Sequence, residues 1–230
     1  MREESEELAK KLPRYVRINT IVTTLAKQKR KLVESGHTFI KKARNKRGKV
    51  ERRKPDKKVD PRGYYLDEHV PNLLVFRPKG HSDLSRVPSV LSGELVIQQK
   101  ASCFSALALD PPIGGSVIDA CAAPGSKTSH LASLMRNEGS IYAFDRNPAR
   151  VETMKALLAG RGITNVTPKA LNFLKVNPED FGDVTHILLD PSCSSSGVST
   201  APHSDPKVTL LPGTAPHHYR CVTPPQIKRI

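Results

Sequence analysis

A lysine-threonine pair, Lys127-Thr128, follows a Pro-Gly turn in the stretch VIDACAAPGSKTSHLA, residues 117–132, and such a turn is a place where anionic or hydroxyl-bearing ligands bind. Val117 and Ile118 are β-branched and lead to Asp119 at a strand end. Pro124 and Gly125 then break the chain ahead of a helical pattern carrying Leu131 and Leu134. In a parallel sheet, such a strand-to-helix turn directs its backbone N–H groups out of the sheet's carboxyl edge. A nucleoside triphosphate is disfavoured by spacing, because a phosphate-cradling loop needs Gly-Lys-Ser/Thr in direct succession. Here Ser126 separates Gly125 from Lys127, and Ala120 stands where the loop's first glycine belongs. A lone glycine is also common in turns that do no more than pack well. The next strand pattern discriminates: IYAFD ends in Asp145, roughly 20 residues past the turn, where an adenosine ribose presents its hydroxyls to an acid. Turn and acid together specify an adenosine-bearing ligand. A further acid and a thiol, Asp190 and Cys193 in Asp-Pro-Ser-Cys, follow the strand pattern THILLD, at the carboxyl end and beside that ligand.

The string Asp119-Ala-Cys-Ala-Ala-Pro-Gly-x-Lys-Thr128 resembles the cofactor motif of the Sun-type RNA (cytosine-5) methyltransferases, which include bacterial RsmB and eukaryotic nucleolar proteins. The resemblance runs from about Pro13 to Gly197. The details Lys-Thr-Ser-His-Leu-Ala and Asp-Pro-Ser-Cys bring it closest to the fifth Sun-domain member, which acts on large-subunit ribosomal RNA. It implies a Rossmann-like α/β methyltransferase sheet that uses S-adenosylmethionine, with a small N-terminal α/β domain that binds RNA. It places the cofactor across Cys121, Ala122, Ala123, Pro124, Gly125, Ser126 and Lys127. Asp145 would take the ribose, Arg150 the cofactor side, and Asp190 the methyl-bearing end. Asn172 falls where the family has an acid near the adenine amine, and it can still accept a hydrogen bond there.

The implied chemistry needs a thiol. Carbon 5 of a pyrimidine is too weakly nucleophilic to take a methyl group unaided, so a thiolate adds to carbon 6, and after transfer a base removes the carbon 5 proton and the thiol departs. The resemblance assigns Asp190 to contacts with cofactor and base, and Cys193 to release of product. The family's nucleophile belongs to a Thr-Cys motif on a later strand; Cys221 follows Arg220 instead, and the role is not carried onto it. Ser195 stands where the family has a glycine. After Gly197 the resemblance stops, and residues 198–230 form an irregular tail rich in Pro, Thr and His. The expectation is an altered or truncated terminus, with weak cofactor binding and little or no methyl transfer. The alternative is a catalytically inactive RNA-binding remnant of the family.

Charge points to the same partner. The net charge is +15, and residues 1–60 hold 20 Lys and Arg against 8 Asp and Glu, so most of the excess lies in the first quarter of the chain. That asymmetry calls for a polyanion, and RNA is the expected partner. Lys41 to Lys58 alone holds 11 basic and 2 acidic residues, reading as an RNA-contacting insert or a nuclear-import signal. The nucleus and nucleolus are the expected location. No run of about 18 apolar residues suggests a membrane span, and the acidic, polar start lacks a secretory pattern. Four widely spaced cysteines without a C-x-x-C pair disfavour a metal site and a disulfide framework.

The elements that must position these groups can be taken in order. Residues 1–12 read as the end of a helix. PRYVRINT, 13–20, alternates as a strand with Arg14 and Arg17 available to phosphate; residues 21–36 read as a helix ending at Gly36, and Leu73 to Phe76 as a strand. Val96 and Ile97 precede a helix pattern. Strands follow at 116–120, 141–145, 165–171 and 185–190, with helices at 127–136 and from Asn147-Pro148 to Gly160. Alternating strands and helices make a parallel sheet. The expected organisation is an N-terminal domain over 1–88 with its insert at 41–58, a partial cofactor-binding domain over 89–197, and the tail over 198–230. A sheet ending there would present an open strand edge.

Overall fold

The computed structural model describes residues 12–41, 60, 62–78 and 84–191. The expected first helix, nearly all of the basic insert, Cys193, Cys221 and the tail lie outside the described residues. The described residues form two sheets, one antiparallel in its main ladder and one wholly parallel.

In the first sheet the order is β2-β3-β4-β1-β5, with β1 at Arg14–Ile18, β2 at Thr38–Phe39, β3 at Gly63–Leu66, β4 at Leu73–Phe76 and β5 at Leu95–Ile97. β1 runs antiparallel to both β4 and β5. Helix α1, Leu25–Glu34, packs on this sheet through Leu32 and closes a core of Val16, Ile18, Tyr64, Leu74, Phe76 and Leu95. Each such side chain contributes about 1.5–3 kcal/mol by leaving water. The helix begins at Leu25 and not at residue 21, because Thr24 is its N-cap and accepts the Lys27 amide. Gly36, at φ +79, follows the helix C-cap and turns the chain into β2. The short strands β2 and β3 carry too little alternation to be legible beforehand. A short helix α2, Pro88–Leu91, precedes β5, so residue 88 falls at its first position while the sheet itself reaches Ile97.

Helix α3, Lys100–Leu109, leads into the second sheet, of order β8-β7-β6-β9, with β6 at Ser116–Asp119, β7 at Ser140–Asp145, β8 at Val166–Ala170 and β9 at Val184–Leu188. All its pairings are parallel, as the alternation of patterns requires. Helices α4, Ser126–Leu134, and α5, Pro148–Gly160, are the crossovers β6-α4-β7 and β7-α5-β8. They bury Leu131, Ala132, Val151, Met154 and Leu158 against Val117, Ile141 and Ala143. Asn147 caps α5 by accepting the Arg150 amide, with Pro148 in the first turn. On the other face Phe144 packs with Phe173 and Phe181.

The two units meet along α4. Arg17 is not available to phosphate at the surface as its place in a strand suggested; it is 1% exposed. Its Nε donates to Gln98 Oε1 at 2.8 Å, Nη1 to Ser133 Oγ at 3.1 Å and Nη2 to Ser129 Oγ at 2.8 Å. Asn19 Nδ2 donates to the carbonyls of Gly93 and Arg161. Arg14 remains exposed, so one of the two arginines keeps the expected access.

Candidate cofactor site

Because β6, β7, β8 and β9 are parallel, their carboxyl ends share one edge. That edge carries Asp119 at the end of β6 and Ala120 after it, Asp145 at the end of β7, Asn172 after β8, and Asp190 after β9. A cavity of about 530 Å³ opens there, within the range of small-molecule sites. Cys121, Ala123, Lys127, Asp145, Arg150 and Asp190 all line it. The remaining turn residues build its support. The Ala122 amide donates to the Phe144 carbonyl at 2.8 Å, tying the turn to β7, and the Gly125 amide closes the turn on the Ala122 carbonyl at 2.7 Å. Pro124 follows a cis peptide bond, and the Ser126 carbonyl accepts Ser129 Oγ at 2.8 Å.

Gly125 is required by conformation and by space. Its φ is +97, and a Cβ there would lie 2.9 Å from Met154 Cγ. Beneath the turn Asp119 is 1% exposed and accepts Thr128 Oγ1 at 2.8 Å. Burial pushes its carboxyl up to about 6, against the lowering effect of the Thr128 and Cys121 hydrogen bonds. Asp119 thus braces the turn from below and does not line the cavity.

Asp145 is a buried strand-end carboxylate. Its Oδ1 accepts the Asn147 amide at 3.0 Å and its Oδ2 lies 3.2 Å from Arg150 Nη1. Arg150 also donates to the Ala123 carbonyl, linking turn, strand and helix α5. Across the cavity Lys127 Nζ lies 2.9 Å from Asp190 Oδ2, which also accepts Ser105 Oγ at 3.2 Å. Cys121 is half-buried, and burial with the neighbouring carboxylates Asp119, Asp145 and Asp190 pushes its thiol up. Cys103, on the buried side of α3, has its thiol pushed up by burial to about 11. A nucleophile must be a thiolate, so neither free thiol among the described residues suits that task near neutral pH.

Some lining residues were not singled out from sequence. Phe173 and Leu174 reach the cavity on a 3-10 turn that Asn172 caps. Asn172 Oδ1 already accepts the Leu174 amide at 3.1 Å, so the acceptor expected for an adenine amine is engaged locally. Leu174, 88% exposed, and Leu189, 57% exposed, add apolar surface suited to a flat ring. The only signal for these was an apolar pair inside a polar loop.

The donor set fits S-adenosylmethionine: a strand-end acid for a ribose, a glycine turn, and apolar surface beside both. Fold and site together define an α/β protein with a partial S-adenosylmethionine-dependent methyltransferase sheet behind a ferredoxin-like N-terminal domain. Residues 106–211 match the family model of the 16S rRNA methyltransferases RsmB/F, and residues 12–98 match the ferredoxin-like domain of NOL1/NOP2/Sun domain family member 5. The chain belongs to the RsmB/F, Sun-type family of RNA cytosine-5 methyltransferases, on the branch of that fifth member. The first match extends past Gly197, where the motif-based resemblance ended.

The chain is 38% identical over 192 residues to a mouse 28S rRNA (cytosine-C(5))-methyltransferase, covering 83% of this chain and 39% of the mouse protein. It is 35% identical over 212 residues to a Drosophila melanogaster 28S rRNA (cytosine-C(5))-methyltransferase, covering 87% of this chain and 48% of that one. Among solved structures, a methyltransferase homologue from Pyrococcus horikoshii superposes with a TM-score of 0.63 at 29% identity, over 85% of this chain and 55% of the other. The chain spans less than half the length of the two curated relatives. No helix of the described residues is long and apolar enough to cross a membrane.

Proposed function

We propose that the chain binds S-adenosylmethionine in the cavity at the carboxyl edge of the second sheet and takes part in cytosine-5 methylation of large-subunit ribosomal RNA, in the nucleolus. The observation that carries this reading is that Asp145, Lys127 and Asp190, read from three separate motifs, line a single cavity. Cys121, Ala123 and Lys127 would hold the cofactor from the glycine turn, with Ala122, Pro124, Gly125 and Ser126 shaping that turn. Asp145 would take the ribose, with Arg150 holding its carboxylate in place. When bound, the cofactor supplies an electrophilic methyl group.

The chain's own groups do the rest. Lys127 and Ser105 fix the Asp190 carboxylate at the mouth of the cavity, where it can accept a hydrogen bond from an entering base. Cys193, three residues further on, would act in product release. RNA is drawn by the basic surplus of the first 60 residues, through a phosphate-dominated term that carries no sequence preference.

Two measurements test the reading. Calorimetry with S-adenosylmethionine should give one-to-one binding, and incubation with large-subunit rRNA and radiolabelled cofactor should leave at most a low level of label on cytosine, since neither free thiol among the described residues suits attack near neutral pH. With 5-azacytidine RNA, an abundant covalent adduct lost in Cys193→Ser would move Cys193 from release to attack. Binding of both ligands without transfer would select the RNA-binding remnant, and no cofactor binding would sink the proposal.

A further inference from the structure

A second cavity, of about 650 Å³, opens at the junction of the two units, along the half of α4 away from Gly125. Arg17, His130, Ser133 and Arg136 line it, together with Thr20 and Asn72. No carboxylate is among its described lining residues. Arg17 is a buried cation whose three hydrogen bonds all go to neutral oxygens, on Gln98, Ser129 and Ser133. A guanidinium has five N–H donors, so two remain. Burial pushes the Arg17 guanidinium down to about 9, and Arg161, a charge of the same sign, pushes it the same way.

His130 adds an independent observation. It is 4% exposed, and its Nδ1 is buried without a hydrogen-bond partner. Burial pushes the ring down to about 3, so it is neutral and offers one N–H and one lone pair. Buried charges are ordinarily paired, and buried polar atoms ordinarily hydrogen-bonded. Here the side chains of Arg17, a cation without a carboxylate partner, and His130, a neutral ring, line the same cavity, with the exposed Arg136 at its rim. The unpartnered Nδ1 is itself closed to water, so the ring's other nitrogen, Nε2, is the one that can meet a ligand.

We propose that this junction cavity is a binding site for a phosphate group, held by Arg17 and His130 from within and by Arg136 from the rim. An arginine fork matches the oxygens of a phosphate, and several oxygens can answer donors from more than one side. The phosphate can belong to the backbone of an RNA strand or be free inorganic phosphate. Only the first source rests on the function proposed above.

The test uses the full chain labelled with 15N, titrated with inorganic phosphate at constant ionic strength against chloride. The Arg17 Nε and His130 ring signals should shift together and saturate. Arg136→Gln, a change at an exposed position, and His130→Phe should each weaken the phosphate about tenfold, the equivalent of one charge-assisted hydrogen bond. No saturable shift, or a shift that both variants leave unaltered, overturns the proposal. An oligoribonucleotide that displaces phosphate from these signals identifies the RNA backbone as the source, and one that does not identifies free phosphate. S-adenosylmethionine affinity measured on the same samples separates failure here from failure of the cofactor site.

Discussion

Lys127 Nζ and Asp190 Oδ2 lie 2.9 Å apart, joining the glycine turn after β6 to the segment after β9. The two side chains are 27% and 38% exposed, so water screens the pair. Its use is orientation of the Asp190 carboxylate. In a double-mutant cycle of Lys127→Met and Asp190→Asn followed by urea unfolding, the coupling should stay below about 1 kcal/mol. A coupling of about 3 kcal/mol would make the pair a structural strut of the kind found in desolvated interiors.

Asp145→Ala should weaken S-adenosylmethionine by roughly 1.5–3 kcal/mol, the equivalent of a charged hydrogen bond. Arg150 already neutralises this carboxylate, but its side chain is 51% exposed and can turn away at small cost. Calorimetry on the variant decides the matter: an unchanged affinity removes the ribose from Asp145.

Asp119 sets a pH dependence of stability. Its carboxyl is pushed from the ordinary 3.8 up to about 6 by burial, so between those values the folded chain holds a proton that the unfolded chain releases. Folding is therefore opposed increasingly as pH rises through that window: the cost is absent below about 4 and complete above about 6, where it reaches about 3 kcal/mol. Asp119→Asn, which keeps an acceptor for Thr128, should gain stability over the natural chain on going from pH 4 to pH 7. Thermal unfolding at both pH values checks this, and a constant difference would refute it.

Removing residues 41–58 should flatten the salt dependence of RNA binding. Each phosphate contact contributes about 0.7 to the logarithmic slope on single strands. Loss of several contacts would lower the slope by 2 or more on that scale, roughly. Filter binding across a salt series reads it, and an unaltered slope would leave the segment as an import signal.

The grouping of the candidate site's residues was legible because their signals are local. A βα turn, a strand-end acid and an Asp-Pro pair each declare themselves within a few residues, and the parallel sheet then carries them to one edge. Arg17 shows the limit of such reading. The pattern Tyr-Val-Arg-Ile marks Arg17 as one face of a strand, but that face is covered by α4, over 100 residues later in the chain. Its role depends on docking between units, which periodicity does not encode. The strands β2 and β3 were missed because they are two and four residues long and lie on either side of the basic insert. Phe173 and Leu174 became site residues through a turn that Asn172 caps, a contact too short-ranged to stand out in a polar segment.

The burial of Arg17 between the units also has a thermodynamic consequence. Opening the junction would return a guanidinium to water and strip donors from Gln98, Ser129 and Ser133 at once, while Asn19 would release the carbonyls of Gly93 and Arg161. Melting of either unit would cost the other these partners, so the two sheets are expected to unfold as one cooperative unit. The chain has no tryptophan, but Tyr15, Tyr64 and Tyr65 report from the first unit and Tyr142 from the second. Their signals should fall on a single denaturation curve with a common midpoint, and Arg17→Ala should be the change that splits it into two.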